Sequence, residues 1–327
     1  MIMDIGVDVG NFDVKTQHCT SPSGYTATST KPELSHDHLG YNGKYYIPAL
    51  DVRMEYIADK TRDDQALVLA LFGIAKEIIY QIKTRIHKDS NNRGMKITTS
   101  MMQARIDQVT EITLGVGLPV GDYDSMATSL KEYYKEKMGN GITFTYDGFT
   151  FNLKARKVEV YPQDILPIIT NEQSELAKRK RYVIVGIGGQ TVDVTPIINN
   201  IPDVQRCYSD TEGIRVFCSK AIDALKRLKY SVNEGSIIDI LRGEPADLLS
   251  EEALNAINET AQDHANQILK ACSGRNISFD EYPVVFFGGG ALLLRKFLEA
   301  NPSLRRYEFI EDVNGNAKCY ADFTRVH

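Results

Sequence analysis

The 327 residues carry 38 Lys and Arg against 43 Asp and Glu, a formal charge of -5, with 43% hydrophobic and 25% charged residues. This is globular composition at a length that suggests about two domains. The mild acidity argues against a direct grip on nucleic-acid phosphate, and no uninterrupted apolar run reaches the roughly 20 residues of a membrane span.

Met1-Ile2-Met3-Asp4 lacks a basic stretch, so no signal peptide is expected. Ile5 to Gly10 reads as a short apolar strand ending in glycine, followed by Asn11-Phe12-Asp13 and an alternating strand from Val14. Asp63 to Ile86 places Leu67, Leu71, Ile74, Ile78 and Ile82 at helical spacing, and Lys76 and Glu77 interrupt this longest apolar run. Ile112 to Pro119 predicts a buried strand, and Asp124 to Met138 a helix stopped near Gly139. Ile142–Tyr146 and Phe149–Leu153 flank an Asp147-Gly148 hairpin turn, and Val158 to Tyr161 is a further strand. Pro162-Gln163-Asp164 opens an expected helix running towards Lys178-Arg179-Lys180-Arg181, where the basic run suits a solvated helix end.

Tyr182 to Val185 then runs into Gly186-Ile187-Gly188-Gly189, Gln190-Thr191 and the alternating Val192-Asp193-Val194-Thr195. This repeats the strand, glycine turn, strand pattern of the N-terminus, which suggests a duplicated sheet domain. Helices are expected over Glu212–Lys229, Ser236–Leu241 and Glu251–Cys272. The strand Pro283–Phe287 leads into Gly288-Gly289-Gly290, with a helix over Ala291–Ala300. The alternation predicts an α/β chain with mixed sheets.

The five cysteines, Cys19, Cys207, Cys218, Cys272 and Cys319, are scattered with no CxxC pair, which suits reduced thiols in a cytoplasm. Ser35-His36-Asp37-His38 is the nearest approach to metal-ligand spacing and reads as a polar loop, since no second ligand pair lies nearby in sequence.

Three strand-terminal glycine clusters carry the most chemistry: Gly10, Gly186 to Gly189, and Gly288 to Gly290. Glycine lets backbone N–H groups turn toward an anion, and two such hairpins suit a polyphosphate. Lys15 is placed to neutralise a phosphate and Asp8 to hold a hydrated magnesium ion. For any one cluster alone, a tight turn with Lys15 exposed is the favoured explanation, since glycine at strand ends is common. Walker A fails at Gly43-Lys44, where Tyr45 follows and His38 stands at the first glycine position. The dinucleotide fingerprint fails because Gly186 to Thr191 continues as a strand.

Asp8 to Lys15 resembles the first phosphate motif of the actin and heat-shock-chaperone ATPase superfamily, Gly186 to Asp193 its second, and Phe286 to Ala291 its adenosine motif. The order and spacing match over essentially the whole chain, and the chain most resembles the bacterial actin-like proteins of the ParM type. Leu118-Pro119, Val160 to Gln163 and Glu212-Gly213 fall where that group has comparable segments. The resemblance implies an actin-like ATPase fold, two duplicated ribonuclease-H-like domains with mixed sheets around a nucleotide cleft. It places domain I at 1–164 with a return at about 305–327, and domain II at 165–304. It further implies ATP or GTP with Mg2+ held by Gly10, Asn11, Phe12, Asp13 and Lys15 on one side and Gly188, Gly189, Gln190 and Thr191 on the other. Gly288, Gly289, Gly290 and Ala291 would pack on the nucleoside with Gly213 nearby, Asp8 would hold the metal through water, and Gln163 would position the attacking water. The second motif usually opens with Asp, where this chain has Gly186. Slower hydrolysis, sufficiency of Asp8 with Gln163, and a carboxylate from elsewhere all remain open.

The function so implied is a cytoplasmic, filament-forming ATPase, possessing itself as partner and segregating plasmid DNA through a DNA-binding adaptor, with no direct contact to nucleic acid or membrane. The alternatives are a small-molecule kinase of the same superfamily, for which Asp122 and Asp164 are available as bases, or a cell-shape bacterial actin. A chaperone-type ATPase is disfavoured by the short tail after Gly290.

Overall fold

The computed structural model describes residues 1–33, 37–49, 52, 59–88 and 96–326. The chain divides into two compact units: unit 1 comprises Met1–Leu118, Asp122–Gln163 and Asn314–His327, and unit 2 comprises Pro119–Gly121 and Asp164–Val313.

Unit 1 contains β1 (Ile2–Val9), β2 (Asp13–Lys15), β3 (Thr20–Pro22), β4 (Tyr25–Thr28), β5 (Leu39–Tyr41), β6 (Lys44–Pro48), α1 (Gln65–Lys88), α2 (Thr99–Ile106) and β7 (Glu111–Leu118). Then follow α3 (Val120–Met138), whose start is counted with unit 2, β8 (Ile142–Tyr146) and β9 (Phe149–Pro162). The strand order is β3-β2-β1-β7-β9-β8-β5-β6-β4, with β1, β7 and β9 parallel and the outer strands antiparallel. The parallel strands β1 and β7 are apolar over most of their length because both faces are covered.

Unit 2 contains α4 (Leu166–Ile169), β10 (Arg181–Ile187), β11 (Val192–Ile198), β12 (Ile201–Pro202), β13 (Tyr208–Asp210), α5 (Ile214–Arg227), α6 (Glu234–Leu241) and α7 (Glu251–Gly274). It closes with β14 (Val284–Phe287), α8 (Gly289–Leu293), α9 (Arg295–Glu299) and β15 (Tyr307–Phe309), after which α10 (Gly315–Val326) returns to unit 1. Its strand order is β12-β11-β10-β14-β15, with β13 on the edge of β11. In both units an antiparallel three-strand meander is continued by two parallel strands, β3-β2-β1-β7-β9 in one and β12-β11-β10-β14-β15 in the other. The duplication expected from the two glycine hairpins thus extends to five strands of each sheet, and the chain is α/β with mixed sheets.

Several local expectations are corrected. No long helix follows Pro162: only Leu166–Ile169 is helical, and turns occupy the chain up to Arg181. Asp164 sits at φ +65, outside helical space, and so prevents a helix from propagating out of Pro162-Gln163. The basic run 178–181 is therefore no helix end; Lys178 pairs with exposed Glu175 at 2.8 Å, and Arg181 begins β10. The helix expected at Ala291–Ala300 is two short ones that break at Leu294. Residues 149–153 and 158–161 belong to the one strand β9. Because β15 pairs with β14, residues 305–313 stay in unit 2, and the return to unit 1 begins at Asn314 instead of about 305. Within Ser35–His38, Ser35 and His36 lie outside the described residues; His38 is buried and its carbonyl accepts from Asp147 N–H at 3.2 Å.

Two helices cover opposite faces of the unit 1 sheet. A side chain at Gly73 of α1 would lie 3.5 Å from Val7 Cγ1, whereas neighbouring Gly6 faces Ala317 of α10, and successive strand residues point to opposite sides. By length and composition α1 is apolar enough to cross a membrane, yet Leu67, Leu71, Ile74 and Ile78 are 0% exposed within the core. Its buried Glu77 is compensated by Thr16 Oγ1, the His18 backbone N–H, His18 Nδ1 and Gln81 Nε2.

The α10 backbone lies so near the sheet that glycine is required beneath it. A Cβ on Gly6 would overlap the Ala317 carbonyl, one on Gly115 would lie 2.6 Å from the Tyr320 carbonyl oxygen, and one on Gly117 would overlap the Tyr320 ring. Gly6→Ala should therefore lower stability by roughly 1–3 kcal/mol or more, as overpacking against backbone does. Gly121→Ala, in open space within α3, should be neutral or stabilise by up to ~1 kcal/mol. Denaturant unfolding of both variants checks the contrast.

Candidate functional site

In unit 1 the β1–β2 hairpin sets Asp8 directly opposite Lys15 and Val9 opposite Val14. The intervening turn is held by its carbonyls. Ser23 Oγ donates to the Gly10 carbonyl at 2.5 Å, Ser23 N–H to that of Phe12 at 2.9 Å, and Lys60 Nζ to that of Val9 at 3.0 Å. In a trans peptide the next residue's N–H points opposite to the carbonyl. Each N–H that follows one of these held carbonyls, those of Gly10, Asn11 and Asp13, is thereby turned away from that carbonyl's donor, as an anion nest requires. Lys15 Nζ lies 4.0 Å from Asp13 Oδ2, with its side chain only 18% exposed.

The Asp8 carboxylate is gripped at both oxygens by amides: Gln163 Nε2 donates to Oδ1 at 2.8 Å and Asn316 Nδ2 to Oδ2 at 3.1 Å. Both donors are neutral, so the carboxylate is oriented without its charge being cancelled. Each oxygen retains acceptor capacity for a water. Gln163 is itself anchored by its N–H on the Leu118 carbonyl at 2.8 Å. With Nε2 committed to Asp8, the amide is turned to present Oε1 as an acceptor.

In unit 2 the β10–β11 hairpin is tied by Gly188 N–H on the Thr191 carbonyl at 2.9 Å. The start of α5 then plugs directly into the turn. Gly213 N–H donates to Gln190 O at 3.0 Å, Ile214 N–H to Gly188 O at 3.1 Å, and Arg215 N–H to Gly189 O at 2.9 Å. The same trans-peptide argument sends the N–H groups of Gly189, Gln190 and Thr191 outward. Gly213 is needed here for approach, since a Cβ would lie 2.6 Å from Gln190 C and the Gly189 carbonyl oxygen. The third glycine cluster packs on the same point: Gly288 adopts φ +96, and a Cβ on Gly290 would lie 2.7 Å from the Ile187 carbonyl oxygen and Ile214 Cγ1. Gly188 to Thr191, Gly213 and Gly288 to Ala291, far apart in sequence, thus form one cluster. Asp193 accepts from Thr191 Oγ1 at 2.9 Å and braces the turn.

Sequence reasoning missed Ser23, Lys60 and Asn316. Lys60 also reaches the Gly117 carbonyl at 3.4 Å, so it caps the ends of two adjacent strands. None of the three lies in a glycine motif, and Asn316 stands 308 residues from the aspartate it holds. Buried Arg215 pairs with Glu234 of α6 at 3.7 Å, so its charge serves helix packing.

No protein-family model and no curated protein sequence matches the chain. Solved structures do. The archaeal actin homolog Ta0583 aligns over 100% of this chain and 99% of its own at TM-score 0.72 and 17% identity. A ParM from Clostridium botulinum, solved as a 15-stranded filament, aligns over 99% of each chain at TM-score 0.69 and 15% identity. An AlfA filament bound to AMPPNP aligns over 100% of this chain and 99% of its own at TM-score 0.58 and 17% identity. The chain has the actin-like fold over its full length.

Beneath the start of α5 lies His264 of α7, 1% exposed. Burial pushes its ring down to about 4, with Lys220 adding to the shift, while Glu212 and the backbone of Glu212 and Gly213 oppose it. The unfolded chain therefore binds the extra proton first, and this residue's contribution to stability is lost as pH falls from about 6.5 toward 4. The full span amounts to about 3 kcal/mol. Denaturant unfolding between pH 7 and 4 should show a shallower acid decline for His264→Gln than for the natural chain; identical slopes would remove His264 as the cause.

Proposed function

We propose that the chain is a nucleotide-dependent, filament-forming ATPase of the ParM type that moves or segregates plasmid DNA through a separate DNA-binding adaptor. The observation that carries the nucleotide reading is the matched pair of turns. In unit 1 the carbonyls of Val9, Gly10 and Phe12 accept from Lys60 and Ser23, and in unit 2 those of Gly188, Gly189 and Gln190 accept from the start of α5. Two backbone nests of this kind suit a polyphosphate. The solved neighbours support it: Ta0583 was solved in complex with ADP, a Bacillus thuringiensis ParM with ATP, and AlfA as a filament with AMPPNP.

In this reading Gly10, Asn11, Phe12, Asp13 and Lys15 bind phosphate from unit 1, and Gly188, Gly189, Gln190 and Thr191 from unit 2. Gly288, Gly289, Gly290 and Ala291 form the nucleoside floor, with Gly213 behind the turn. The nucleotide is ATP or GTP with Mg2+, which neutralises phosphate charge when bound. Asp8, negative and held at both oxygens, fits a role toward the water shell of such an ion. Gln163 aligns the attacking water through Oε1. It is too weak a base to take the proton, which leaves with the phosphate product as the new P–O bond forms and the bond to the nucleoside diphosphate breaks. The adaptor supplies the contact to DNA that the net acidic chain lacks, and the site of action is the cytoplasm.

The test is light scattering with pelleting in Mg2+, comparing no nucleotide, ATP, GTP and a non-hydrolysable analogue, with phosphate release followed in parallel. Polymer should appear only with nucleotide and disassemble as phosphate accumulates. Lys15→Ala should weaken nucleotide binding roughly 10- to 100-fold, the size of a lost charge-assisted contact, and abolish polymer at matched concentration. A monomer that consumes ATP only with an added metabolite would instead establish the kinase.

A further inference from the structure

The duplicated hairpins share one register. Asp8 faces Lys15 and Val9 faces Val14 in unit 1; Gly186 faces Asp193 and Ile187 faces Val192 in unit 2. Both outer pairs are seven residues apart and both inner pairs five. Position 186 is thus the counterpart of Asp8, two residues before the turn glycine, and there unit 2 has no side chain.

The space is nevertheless filled. A Cβ on Gly186 would overlap Asp164 Oδ2 and lie 3.1 Å from its Cγ, so a carboxylate from another segment occupies the place where a side chain at 186 would start. Asp164 holds this position from φ +65, a left-handed conformation that is disfavoured for a residue with a Cβ and that glycine adopts freely. A purely conformational role would be served better by Gly. The neighbouring Asp193 is committed to Thr191 Oγ1 within the turn.

We propose that Asp164 supplies the acidic group of the second phosphate loop, standing in for a side chain at 186 and facing the hydrated divalent cation of the bound nucleotide. This rests on the nucleotide-binding reading above. Gln163, whose amide holds Asp8, immediately precedes Asp164 in sequence.

The test uses the full chain, titrated with a fluorescent ATP analogue in Mg2+ and again in EDTA, with phosphate release measured separately. Asp164→Asn keeps the shape and tolerates the left-handed backbone. It should leave affinity in EDTA within about twofold, remove the Mg2+-dependent gain, and lower phosphate release by about 10- to 100-fold, as loss of a metal's outer-shell partner does. Gly186→Asp alone should fail through collision with Asp164, seen as a lowered Tm. The exchange Asp164→Gly with Gly186→Asp should restore both Tm and the Mg2+-dependent gain. An Asp164→Asn protein that keeps the natural Mg2+ gain and turnover overturns this inference alone. A natural chain that binds no nucleotide in either condition overturns the functional reading and this inference with it.

Discussion

The contact on which unit 1 depends is backbone on backbone: α10 rests on β1 and β7 with only hydrogen at Gly6 and Gly115 between them. Close packing of this kind leaves no soft side chain to absorb a misfit, so the position of the helix is set by the sheet to within a fraction of an ångström. That precision is transmitted to the chemistry. Asn316 sits in the first turn of the same helix and holds Asp8 Oδ2, while Gln163, at the end of β9, holds Oδ1. A carboxylate near the end of the first strand is therefore oriented by residues brought in through the last helix and the third parallel strand.

The parts of this arrangement that were legible in the sequence are local ones. A strand, a glycine turn and a second strand are specified by adjacent residues, so both hairpins, their glycines and Lys15 were readable, as was α1 from its apolar spacing. The pairing of distant segments was not. Lys60 follows a stretch with no distinguishing pattern, and Asn316 is one polar residue among several in an amphipathic helix. The helix expected after Pro162 failed for a related reason. Proline at a helix start is a sound local signal, but the neighbouring Asp164 adopts a left-handed backbone in a tertiary setting that the local sequence does not reveal.

The glycines divide along the same line. Gly6, Gly115 and Gly117 stand in strands and serve helix packing, whereas Gly10, Gly213, Gly288 and Gly290 serve the turns. All are glycine because a Cβ would meet backbone or a packed neighbour, or because φ is positive, so residue type alone does not separate packing from binding. What separates them is the neighbour. Gly6 and Gly115 lie beneath helix carbonyls, whereas Gly213 lies against the backbone of the β10–β11 turn itself.

The two halves solve the same problem with different materials. In unit 1 the side chains of Ser23 and Lys60 hold two of the carbonyls and the Ser23 N–H the third, so its geometry is open to substitution at positions outside the motif. In unit 2 it is held by the backbone of α5, and only residues that obstruct approach, such as any side chain at 213, disturb it. The acidic groups follow the opposite pattern. Unit 1 carries its carboxylate on the strand itself at Asp8, and in unit 2 the equivalent strand position is bare while Asp164 fills the space from outside. The two hairpins share a register but not a residue at this position, because a strand site whose space is already taken by a side chain from another segment admits only glycine.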